Sequence, residues 1–213
     1  MSHSSKTSDD ISSTEACDCF LPDNSTVMYE FELDQLAKQD LKKFLKWRSE
    51  NGENFLLLTA KENENVNSIN FLINFMEKEF DKEELRKILI DHDNFEFLPL
   101  HFTIQYNRPE VFEIFFAFYQ RFFTKKELTI LCERKPSDKT IFTIARSNSS
   151  HPTMIDALRK VFVKFSPFFY FSLEFSYLMK VEVSDETKAT KLFTEMHEKL
   201  SDEEILKILT GNF

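Results

Sequence analysis

The amino-acid sequence predicts an all-α fold, and three observations carry that prediction. From Val27 onward, apolar residues recur at helical spacing: Leu33, Leu36, Leu41, Phe44 and Leu45 share one stripe, and Ile69, Leu72, Ile73 and Met76 another. Few windows alternate with period two, and no glycine-containing hairpin turn is present. Finally, one segment of helical character returns along the chain, so the helices are expected in repeated units.

Taking the elements in order, residues 1–25 are rich in Ser, Thr and Asp with little to bury, and read as a disordered leader. The helical repeat domain is expected over 26–213. Its recurring segment first runs Leu36-Ala-Lys-Gln-Asp-Leu-Lys-Lys-Phe-Leu45. Without a gap it aligns with Phe80–Leu89, Phe123–Cys132 and Leu200–Leu209. The starts lie 44, 43 and 77 residues apart, and the wide interval suits a degenerate copy around Phe165–Ser172. Each copy reads as a short helix whose acidic first turn opposes the positive end of the helix dipole. A second segment follows after a polar loop, as Gly52–Ala60, Glu96–Ile104 and Asp138–Arg146. A longer apolar helix comes next, over Asn67–Lys78, Pro109–Arg121 and Thr153–Phe165. Pro109 and Pro152 stand where a helix tolerates proline, in the first turn.

The second segment resembles the start of an ankyrin repeat. Leu98-Pro-Leu-His101 keeps three of the four central residues of Thr-Pro-Leu-His, Gly52 keeps the glycine, and Thr140 the threonine. Thr59-Ala60 and Ala145 keep the small residues of the first helix. The spacing near 43 exceeds the family's 33, and the extra short helix supplies the difference. The resemblance implies a helical solenoid of about four ankyrin-like repeats. It also implies that His101 bonds loop backbone to set the stacking of repeats, and that the chain binds protein through its loops.

Composition narrows the function further. With 27 Lys plus Arg against 36 Asp plus Glu the net charge is −9, which disfavours nucleic acid and anionic lipid as partners. Gly52 and Gly211 are the only glycines, too few for a dinucleotide fold or a phosphate loop. Three cysteines make no disulfide framework, so an intracellular, cytoplasmic setting is expected, with the nucleus also open. Met1–Lys6 has no apolar stretch behind a basic start, and no secretory signal is expected.

Candidate chemistry is sparse. His3, His92, His101, His151 and His197 lack metal-ligand spacing, and Cys17-Asp-Cys19 is a single pair where zinc sites show two. Cys132 falls on an apolar helix position and reads as core. Glu83-Glu84 and Asp202-Glu203-Glu204 sit in first turns, and Ser147-Asn-Ser-Ser150 has no glycine elbow. No catalytic residue, cofactor or metal is therefore expected. Phe112, Phe115, Phe116, Phe118, Phe122 and Phe123 crowd one helix, as in a core covered on both sides.

The expected function is non-catalytic binding of another protein through the repeat loops and the first-helix surface. The loop candidates are Trp47, Arg48, His92, Asp93, Phe95, Phe97, Arg134 and Lys135; the first helices add Gln105, Tyr106, Asn107, Arg146 and Asn148. Trp47, the lone tryptophan, could anchor an interface. The alternative is a membrane-associated helical protein using the Phe-rich segment 161–181. That window carries Lys164, Pro167, Glu174 and Lys180, which are costly inside a bilayer.

Overall fold

The computed structural model describes residues 43, 45–148, 151–180 and 186–211, all within the compact unit Ala37–Phe213. The expected leader 1–25 and most of the first copy, Leu36–Leu45, lie outside the described residues. Among those residues there are eleven α-helices and no strand.

The helices fall into recurring groups. The first is α1 (Phe55–Glu62), α2 (Val66–Glu79) and α3 (Lys82–Leu89), the second α4 (Pro99–Tyr106), α5 (Pro109–Phe122) and α6 (Lys125–Glu133). The third is α7 (Ile141–Ser147) and α8 (Met154–Phe165), without a third helix, and α9 (Pro167–Lys180), α10 (Glu186–Lys199) and α11 (Asp202–Thr210) form the last. Local chemistry starts each element. Asn54 caps α1 by accepting from Leu57 N–H at 2.9 Å, and Asn65 caps α2. Pro99, Pro109 and Pro167 stand at N1 of α4, α5 and α9, where no backbone donor is needed.

Helices at the same place in successive groups lie side by side. α4 packs between α1 and α7. α9 follows in that row: Phe142 and Tyr170 meet at 5.5 Å, and Arg146 donates to Glu174 at 2.7 Å. In the second row Arg121 of α5 donates to Glu77 of α2 at 2.7 Å, and Phe116 meets Phe162 of α8 edge-on at 5.4 Å. Covered by α2, α4 and α8, α5 buries Phe112, Phe115, Phe116 and Phe118. Cys132 is likewise buried.

The window 161–181 is divided by Pro167 into the end of α8 and α9, and Phe169, Tyr170 and Phe171 are buried in the packing. No described helix is long and apolar enough to cross a membrane.

Candidate functional site

The loops before the first helices are built on buried polar groups. In 90–98, between α3 and α4, Asp93 turns inward, and its Oδ1 accepts from Phe95 N–H at 2.9 Å and Phe97 N–H at 2.8 Å. Burial pushes its carboxyl above the usual range, and the two N–H bonds oppose that shift without cancelling it. His92 lies outside, its Nδ1 2.8 Å from the Asp93 carbonyl oxygen, so that nitrogen carries the proton and donates.

This loop is also tied to the one before it. Asp91 accepts from Arg48 and, at 2.6 Å, from Asn54 Nδ2. Asn94 donates through its backbone N–H to Asn51 O at 2.9 Å and through Nδ2 to Glu50 O at 3.0 Å. Gly52, at φ +79°, makes that approach possible, since a Cβ there would lie 2.5 Å from Asn94 Oδ1. On this fixed support Phe95 stands 57% exposed. The matching loop after α6 holds Arg134 and Lys135 exposed, ahead of a 3-10 turn at Pro136–Asp138. Arg48, His92 and Lys135 occupy the third position after copies ending at 45, 89 and 132.

The candidate residues therefore separate. Arg48, His92, Phe95, Arg134 and Lys135 are open on the loops, while Trp47 is half-buried, with its backbone N–H donating to Lys43 O at 2.9 Å. Phe97 is instead core, its ring stacked on Phe102 at 5.4 Å, and Asp93 is the interior post of the loop. Gln105 and Tyr106 lie at the far end of α4, about 12 Å along the helix from the loop. Asn107 and Asn148, expected at the surface, are buried between repeats. Asn107 Nδ2 donates to Ala60 O at 2.9 Å, and Asn148 Nδ2 to Ile104 O at 3.0 Å. Arg146 is engaged by Glu174 and lies 3.5 Å from the Tyr177 ring centroid. The first helices leave little open surface, because α4 is buried from Pro99 to Ile104.

His101 takes part in this support. Its Nδ1 accepts from Leu98 N–H at 3.1 Å, capping its own helix where the resemblance implied a bond to a neighbouring loop. Burial first, then the Arg134 charge, holds its pKa down to about 3, so the ring stays neutral. Burial also pushes the Cys132 thiol up, which leaves it unreactive. No group of three His, Cys, Asp or Glu among the described residues could hold a metal. Cys17 and Cys19 lie outside the described residues.

One surface escaped sequence reasoning. A groove of about 560 Å³ between α5 and α8 has Phe116, Val161 and Phe165 on its walls and Lys125, Lys160 and Lys164 around it. Lys160 and Lys164 lie on α8 and Lys125 at the start of α6, so only the stacking of the two repeats brings them to one groove. Comparison of the chain with protein-family models, curated proteins and solved structures finds no match.

Proposed function

We propose that the chain is a protein-binding module without chemistry of its own. Its helices form a solenoid of about four ankyrin-like repeats, and the row of loops ahead of the first helices holds a partner protein inside the cell. Phe95 carries this reading. A large aromatic side chain left open on a loop pinned by Asp93, Asn94 and Gly52 is already ordered, so binding it costs little further entropy. Aromatic and arginine side chains on such a support are the residue types that dominate interface energies. Arg134 and Lys135, exposed on the next loop, favour a partner surface with acidic groups.

The test is affinity capture with the full chain against a variant carrying Phe95→Ser, Arg134→Glu and Lys135→Glu, with circular dichroism showing both folded. The expected result is a partner held by the unchanged chain and reduced about tenfold or more by the variant. Equal recovery of every captured protein by both baits would remove the loops from the reading.

A further inference from the structure

The groove between α5 and α8 is built from two helix faces. On α5 its wall is Glu113, Phe116, Ala117 and Gln120, which stand at i, i+3, i+4 and i+7. On α8 it is Lys160, Val161, Lys164 and Phe165, again two turns of one side. Phe116 of one wall meets Phe165 of the other edge-on, ring centroids 5.1 Å apart, which joins the two apolar sides. From Glu113 to Gln120 the wall runs about 10 Å. Two such faces present ridges of side chains between which a third helix seats.

Charge sets this groove apart from the rest of the chain. From Lys125 to Phe165, the span of α6 to α8, nine Lys and Arg stand against four Asp and Glu, a net of +5. The remainder of the chain carries −14. Carboxylates match three of the nine cations: Glu174 meets Arg146, Glu195 meets Arg159 and Glu113 meets Lys160. Lys164 is exposed and has no ion pair among the described residues. Lys125, exposed as well, has no carboxylate partner there, and its Nζ lies 6.0 Å from the Phe165 ring centroid. The groove thus holds three ammonium groups against the single carboxylate of Glu113. A second groove, between α8 and α10, is nearly balanced, because Asp156, Glu195 and Glu198 lie among its cations.

We propose that the groove between α5 and α8 binds an acidic amphipathic helix of a partner protein. Apolar residues three or four apart on that helix lie against Phe116, Val161 and Phe165, and carboxylates beside them meet Lys125, Lys160 and Lys164. The ammonium groups select the charge of the partner and the apolar walls its spacing. The groove is separate from the loops at residues 92–95 and 134–135, and the proposal does not rest on their reading.

Selection of displayed random peptides of about 16 residues, long enough for four helical turns, on the full chain tests it. The counter-target is the chain with Ala117→Trp, which fills the groove without changing its charge. Peptides kept by the first and refused by the second should be acidic, with Leu, Ile or Phe at every third or fourth position. Their affinity in fluorescence anisotropy should fall about tenfold or more with Lys125→Glu and Lys164→Glu together, and should weaken as salt rises. Ala117, Lys125 and Lys164 are exposed, so thermal unfolding of each variant should match the unchanged chain. The variant with Phe95→Ser, Arg134→Glu and Lys135→Glu keeps this binding, which separates failure here from failure of the loop reading. No selected peptide, selected peptides that are basic or lack helical spacing, or affinity indifferent to the lysine substitutions would overturn the proposal. So would self-association of the chain, or binding to phosphatidylserine vesicles, that these substitutions abolish, since either assigns the groove another occupant.

Discussion

Asn107 holds two repeats together with one side chain. It ends α4, its Nδ2 satisfies the Ala60 carbonyl at the end of α1, and its own carbonyl accepts from Asn148 at 3.1 Å. Asparagine is usually a surface residue, so composition and spacing point outward, and only the stacked helices show what it satisfies. Asn107→Ala strands buried carbonyl oxygen and should cost about 2 kcal/mol of unfolding free energy in urea denaturation. A loss under about 0.5 kcal/mol would mean that water replaces the amide. His101 gives a pH signature. The unfolded imidazole titrates near 6.5 and the folded one near 3. The unfolded chain thus binds the extra proton between those values, and stability falls as pH drops through 6.5 toward 3, while above 6.5 this contribution is constant. At pH 4 the histidine should account for about 3 kcal/mol of lost stability relative to pH 7. His101→Gln keeps an acceptor for Leu98 N–H and removes the titration, so denaturation across pH 4–7 should show a shallower loss. An unchanged slope would assign the acid sensitivity to other groups.

Among the elements, the third helices were the most legible. Their polar punctuation is a capping box: Asp81 with Glu84, Thr124 with Glu127, and Ser201 with Glu204 each exchange side-chain and backbone bonds at the helix start. Reading the acidic first turn through the helix dipole alone finds the carboxylate and misses its partner at the N-cap. Ser201→Ala should lower stability by about 1 kcal/mol, with faster amide exchange concentrated in α11. Uniformly faster exchange would place the cap inside the global folding unit. The degenerate copy around Phe165–Ser172 has a physical reason for its poor match. Pro167 starts α9 there, and that longer helix lies beside α7 in the first-helix row. Helix α4 shows the limit of periodicity: its residues are buried nearly all round, so no polar stripe marks a binding face.

Across the described unit, the spacing of 43 to 44 residues seen in the sequence returns as side-chain contact. Glu77 with Arg121 and Asn148 with Ile104 each join residues 44 apart, and Arg48 with Asp91 residues 43 apart. All-helical architecture and its repetition could therefore be read from the chain, because apolar spacing and caps are local. The loop scaffold could not. Asn94 and Gly52 act through contacts that exist only once two repeats are stacked, and Asp93, though bonded within its own loop, differs from the open His92 beside it in no way that periodicity or composition registers. That difference decides which residues are free to bind. The most direct measurement of the proposed function is hydrogen exchange on the full chain, alone and with the protein it captures. Protection should concentrate at residues 91–97 and 133–139, with α9 and α11 changing no more than in the free chain. Capture of no protein, or protection confined to the groove between α5 and α8 while both loops exchange as before, would contradict the account.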